Sequence, residues 1–270
     1  MRWFSLFLLV SALNSLLAQP KVTIAPLDPS LASVVSVVDP SDPGFRDAVA
    51  KALSLDAIPA FERILPYSIV IRNSASISVV SAIFFVDVVD GHGRVSRNMQ
   101  GSGDIPPSGA NDFVLASGKA MLMTADARYS AAAVHFMSTR SVMKELPQRP
   151  VEQYDSAVRI TFVIDSVMFA DGRFVGPDKA GAFIGWTSRL VNEAAVARAV
   201  LAFQGRTTED LQTYLASVAA TPRPSANAFD VSPAKEAAGY QRVLKNRGLD
   251  DVFANARDIL QRATDFSIHR

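Results

Sequence analysis

The sequence contains no cysteine. That excludes disulfides, thiol nucleophiles, thiolate metal sites and a lipid-modified cysteine anchor. Stability must come from a hydrophobic core, for which 270 residues are ample. Histidine is scarce: His92, His135 and His269 are the only three, and no two share the i, i+4 spacing that presents a metal from one helix face. There is no Gly-x-Ser-x-Gly elbow, and Gly101-Ser102-Gly103 is a loop fragment. An excess of either charge is also missing. The 27 Lys and Arg oppose 26 Asp and Glu, leaving no general attraction to nucleic acid or anionic lipid. No apolar run reaches the roughly 20 residues of a spanning helix.

What is present begins with Met1-Arg2, an apolar core from Trp3 to Leu13 and the small residue Ala18 before Gln19-Pro20. This order of basic start, apolar stretch and small residue is that of a secretory signal. It predicts cleavage after Ala18, a mature chain starting at Gln19, and a secreted or periplasmic protein not bound to the membrane. Loss of Arg2 leaves 26 charges of each sign. Leu16 is bulky two positions before the cut, which keeps a retained N-terminal anchor as the alternative. At 49% hydrophobic and 20% charged residues, the remainder reads as a globular chain.

Lys21–Ile24 and Val34–Val38 are β-prone, and Asp42-Pro43 opens a helical stretch to Leu53. From Tyr67 the pattern has period two, with Tyr67, Ile69 and Ile71 on one face. Ile77–Val89 is a long strand, closed by the turn Asp90-Gly91-His92-Gly93, and Arg94–Met99 returns. Further short strands are expected at Asp112–Leu115, Ala120–Met123 and Ala131–Met137. Val158–Phe169 carries Val158, Ile160, Phe162 and Ile164 on one face, and Val163, Val167 and Phe169 on the other. A strand apolar on both faces must be covered on both.

Beyond Gly176-Pro177 the period becomes 3.6. Asp178 is the expected N-cap of a helix to Phe203, with Phe183, Trp186, Leu190, Ala194, Ala197 and Leu201 as its stripe. Thr207–Asp210 fits a capping box. Thr221–Pro233 reads as a Pro-rich linker, about 221–232. Ser232-Pro233 starts the next helix, Gly248 ends it, and Leu249, Val252, Phe253, Ala256, Ile259, Leu260 and Ala263 stripe the last.

The expected fold is therefore α+β: an antiparallel, immunoglobulin-like β-sandwich over 19–176, followed by a helical region over 177–270 packed on it. The strand Tyr67–Arg72, the Asn73-Ser74 turn, the strand to Val89 and the Asp90-Gly91 turn carry a resemblance. The region Tyr67–Val175 resembles the immunoglobulin-like or fibronectin-III-like sandwiches of exported bacterial proteins. The segment FADGRFVGPD, Phe169 to Asp178, is similar to a stretch in uncharacterised proteins of that kind. The resemblance implies a fold and a compartment. It implies no activity, because such sandwiches carry many functions.

No residue set assigns a catalytic role, a cofactor or a metal. Asp165 lies among apolar residues, where burial can raise a carboxyl pKa for acid–base work. Asp171 reads as a turn residue and Asp178 as a cap. Asp87 and Asp90 offer too few oxygens for calcium. Phe183, Trp186, Leu190, Phe253, Ile259 and Leu260 are the candidate interaction surface, although packing inside the chain is the more usual use of such stripes. The functional expectation is a non-enzymatic exported protein with a binding or structural role toward a protein or glycan partner. The alternative is a hydrolase acting on cell-wall or carbohydrate material through Asp165 and a second acid.

Overall fold

In the computed structural model, the structure describes residues 21–53, 58–103, 115–126, 152–221 and 232–270. The signal segment, His135, the expected strand Ala131–Met137, and most of both the Asp112–Leu115 strand and the linker at 221–232 lie outside these residues.

The period-two runs form strands. They are β1 (Lys21–Ile24), β2 (Val35–Val38), β3 (Ser68–Asn73), β4 (Val79–Asp90), β5 (Val95–Gly103), β6 (Ala120–Thr124), β7 (Ala157–Phe169) and the two-residue β8 (Phe174–Val175). Short helices lie between them: α1 (Pro29–Ala32), α2 (Phe45–Ala52), α3 (Ile58–Phe61) and α4 (Glu152–Asp155). The long helices follow: α5 (Ala182–Leu201), α6 (Thr208–Ala219), α7 (Pro233–Arg247) and α8 (Leu249–Asp265).

The antiparallel immunoglobulin-like sandwich is not what forms. The fold is α+β with a five-stranded sheet ordered β1-β7-β4-β5, β8 pairing with β7, and a three-stranded sheet ordered β2-β3-β6. The three-stranded sheet is antiparallel throughout. The larger one is mixed, because β1 runs parallel to β7 with Val22 opposite Ile160, while β8 is antiparallel to β7. Alternation of apolar residues tells which face of a strand is buried but not the direction of its neighbour. A parallel pair also needs a long connection rather than a turn, and here more than a hundred residues separate β1 from β7, leaving no local signal.

The chain divides into two compact units. Described residues within 21–76, 83–102 and 115–164 form the first; those within 77–82 and 165–270, with Gly103, form the second. The first unit buries Phe61, Ile69, Phe84, Leu122, Ile160 and Phe162. There the Tyr67 hydroxyl donates to the Asp155 carboxylate, tying α4 to the start of β3. In the second unit β7 is buried at every residue from Asp165 to Phe169, as two-sided apolar character requires.

The helices of the second unit follow their capping chemistry. The Thr207 and Asp210 side chains each accept the other's backbone N–H in a full capping box. The Ser232 hydroxyl accepts the Lys235 N–H with Pro233 in the first turn. Gly248, at φ 96°, separates α7 from α8. Helix α5 packs against α8 and α7, and α6 against α7. Their shared core holds Val196, Val200, Leu211, Leu215, Tyr240, Val252, Phe253 and Ile259.

Candidate functional site

The acids singled out from the sequence converge at the end of β7, and their geometry accounts for each. Gly176 has φ 120°, and a Cβ there would stand 2.3 Å from the Asp165 carbonyl oxygen. Glycine alone lets the loop lie flat on β7. The loop then turns the Lys179 and Ala180 N–H groups onto the Asp165 carboxylate, at 2.8 Å to Oδ1 and 3.1 Å to Oδ2. Asp165 is wholly buried. Both of its oxygens hold the loop, and none is presented to a substrate proton, which a general acid or base must reach.

Asp178 is not the N-cap of α5. The helix begins four residues later, after Gly181 at φ 70°. The Asp178 carboxylate still serves the helix start, because its Oδ1 accepts the Phe183 N–H at 3.2 Å. Its Oδ2 accepts Arg270 Nη2 at 2.8 Å. Asp171 is a turn residue, accepting the Arg173 N–H at 3.0 Å.

Asp87 and Asp90 are each engaged by an arginine. Asp87 takes Arg97 in a two-point pair at 2.6 Å for each bond. Asp90 accepts the His92 and Arg94 N–H groups and Arg94 Nε, and these bonds hold its carboxyl below the usual range. Among the described residues no three His, Cys, Asp or Glu side chains group to hold a metal. Nor is any described helix long and apolar enough to cross a membrane.

The candidate interaction residues turn inward. Trp186 is buried, and its ring meets Phe174 of β8 edge-on at 5.9 Å between centroids. Phe183 meets the same ring at 5.4 Å, and Leu190 is half-buried. Phe253 and Ile259 are buried in the helical core, with Leu260 packed against it. These apolar groups are used within the second unit.

A more open site lies elsewhere in the same unit. Glu236, Gly239, Tyr240, Val243 and Arg247 recur at three- and four-residue steps on one face of α7. With Arg242 and Asn246, and with Asn255 of α8, they line a groove of about 440 Å³. A Cβ at Gly239 would meet nothing within 4 Å, so the absent side chain leaves that wall open. Beneath it Tyr240 is 2% exposed, and its hydroxyl has no hydrogen-bond partner among the described residues. An unsatisfied buried hydroxyl costs about 1–3 kcal/mol.

The charges around this phenol are structured. Burial raises the Glu236 carboxyl pKa, and the Glu193 carboxylate raises it further; Arg189, Lys235 and Arg262 oppose the rise. Glu193 is buried and pairs with Arg189 at 2.5 Å. The Tyr240 hydroxyl is likewise pushed well above the usual phenol value by burial, then by Glu236 and Glu193. Arg242, Asn246, Arg247 and Asn255 supply donors beside an acid of raised pKa, a set suited to a polar ligand. Another cavity, of about 330 Å³ beside the β4–β5 turn, includes Asp90 and Arg94, which already pair with each other.

Sequence reasoning did not select the α7 face. A polar stripe at helical spacing reads as a solvated face, and nothing local marks Tyr240 as buried beneath it. Comparison of the chain with protein-family models, with curated proteins and with solved structures gives no match.

Proposed function

We propose that this chain is an exported, non-enzymatic binding protein that works in the cell envelope or outside the cell. It takes a polar protein or glycan surface in the groove of α7 and α8. The observation that carries this reading is the gathering of Arg242, Asn246, Arg247 and Asn255 with Glu236 along one groove. Export rests on the Arg2, Trp3–Leu13 and Ala18 pattern.

The test has two parts. N-terminal sequencing of protein recovered outside the cytoplasm is expected to begin at Gln19; recovery of Met1 in membrane pellets would refute cleavage. Mixed with a native envelope fraction and sedimented, the wild-type chain is expected in the pellet. Arg242→Ala/Arg247→Ala is expected to stay in the supernatant while folding normally. Equal retention of both proteins would remove the groove from the account.

A second reading keeps the hydrolase but moves its acid. Glu236 lines the groove with a raised pKa, close enough to Glu193 to be shifted by its charge. A carboxyl of raised pKa beside a second acid is an arrangement that acid–base hydrolysis uses. Against it, Glu193 is buried and committed to Arg189. Activity on cell-wall glycan that disappears in Glu236→Gln would favour this reading over the first.

A further inference from the structure

We infer that Gly172–Phe174, Asp178 and Phe183 form a recognition slot for an extended, arginine-bearing peptide segment, filled in this chain by its own Ser267–Arg270. The slot lies in the second unit and does not depend on the groove of α7 and α8.

The segment docks as a short added strand. The His269 N–H donates to the Gly172 carbonyl at 3.0 Å, and the Phe174 N–H donates to the His269 carbonyl at 2.7 Å. Arg173 and His269 thereby form a parallel bridge. Gly172 permits the approach: at φ 86°, a Cβ there would stand 1.9 Å from the Ser267 carbonyl oxygen. The next residue carries the side-chain contact. Arg270 pairs with Asp178 at 2.8 Å. Its guanidinium lies 4.7 Å from the Phe183 ring centroid and 5.8 Å from that of Phe174, within cation–π range of both. Main-chain bonds along an edge combined with a side-chain pocket are the elements of peptide recognition by strand addition.

The two sides of this contact are unequal. On the slot side Phe174 is 3% exposed, and the Asp178 side chain 4%. Groups outside the segment hold them: Trp186 packs on Phe174, and the Phe183 N–H bonds Asp178. Asp178 is also the one non-glycine residue with positive φ among the described residues, at 57°. Such a conformation persists only where its surroundings enforce it. On the segment side Ser267, His269 and Arg270 are exposed, the Arg270 side chain by 54%. The slot side is thus held by groups outside the segment, and the segment is the exposed side of the contact. A basic extended peptide from another chain would compete for the same bonds, and the segment acts as its inhibitor in cis.

A fluorescent peptide of sequence FSIHR, titrated by anisotropy against the full chain, tests this. His269→Pro/Arg270→Ala removes one backbone bond and the ion pair, emptying the slot. It is expected to bind the peptide at least about tenfold more tightly than the wild type, a gap of about 1.4 kcal/mol. Adding Asp178→Asn, or using the peptide FSIHA, is expected to abolish that gain. Equal affinity of the wild type and the double variant, or equal binding of FSIHA, would overturn the proposal. Should the double variant fail to fold, hydrogen exchange on the wild type decides. The Phe174 amide is expected to exchange about 100-fold faster than those of Ile164–Met168, because opening is local; equal protection would overturn the proposal.

Discussion

The buried carboxylate of Asp165 accepts the backbone N–H of Lys179 at 2.8 Å, and this bond sets the path of the chain from β7 into α5. Asp165→Asn removes the charge and offers an amide donor where two N–H groups need acceptors. The variant is expected to lose about 1–3 kcal/mol of stability, read as a lower urea midpoint with an unchanged slope. An unchanged midpoint would show that the loop is held by other contacts.

Trp186 reports on the packing of α5. In a chain beginning at Gln19 it is the sole tryptophan, since the other of the two is Trp3. Native emission is expected to be blue-shifted and protected from iodide, with a red shift on unfolding. Trp186→Ala is expected to cost about 3–5 kcal/mol, because the ring is 4% exposed and packed on Phe174. Emission typical of exposed indole in the native protein would contradict the packing.

Two glycines are expected to respond in opposite directions. Gly176→Ala forces a Cβ to 2.3 Å from a backbone oxygen at φ 120°, and its cost is expected to exceed about 1 kcal/mol. Gly239 lies inside α7 with open space where its Cβ would stand. Gly239→Ala is expected to gain about 0.5–1 kcal/mol by restricting the unfolded chain. Thermal unfolding of both variants checks the pair; a destabilised Gly239→Ala would mean that the wall of the groove is already filled.

These contrasts show what the sequence makes legible. Ser232-Pro233, Thr207 with Asp210, and Gly248 mark helix ends because capping is local chemistry between neighbours. The alternation in Tyr67–Arg72 and Val158–Phe169 marks strands for the same reason. The parallel partnership of β1 with β7 has no local signature. The start of α5 misleads: Asp178 has the right residue type, but the Gly176 approach and the bonds to Asp165 hold the chain non-helical to Gly181. The groove escapes notice because burial of Tyr240 and Glu193 depends on helices brought together from distant sequence.

Glu236 makes stability depend on pH in a defined direction. Its folded pKa is raised above the ordinary value of 4.5, mainly by burial and then by Glu193. The folded state therefore holds the proton more tightly than the unfolded chain. That contribution is fully present below the unfolded pKa and is lost as pH rises through the folded one. Glu236→Gln cannot lose it. The wild type is expected to fall in stability relative to Glu236→Gln as pH rises from about 4.5, and parallel melting curves across that range would contradict the assignment.

The most direct test of the binding reading is to incubate the protein with purified cell-wall glycan and with native envelope material. Reducing ends and sedimented protein are then measured in the same samples. Retention of the wild type on the envelope material with no release of reducing ends is the predicted result, alongside retention lost in Arg242→Ala/Arg247→Ala. Release of reducing ends by the wild type, abolished in a folded Glu236→Gln or Asp165→Asn of unchanged stability, would contradict it and make the chain a hydrolase.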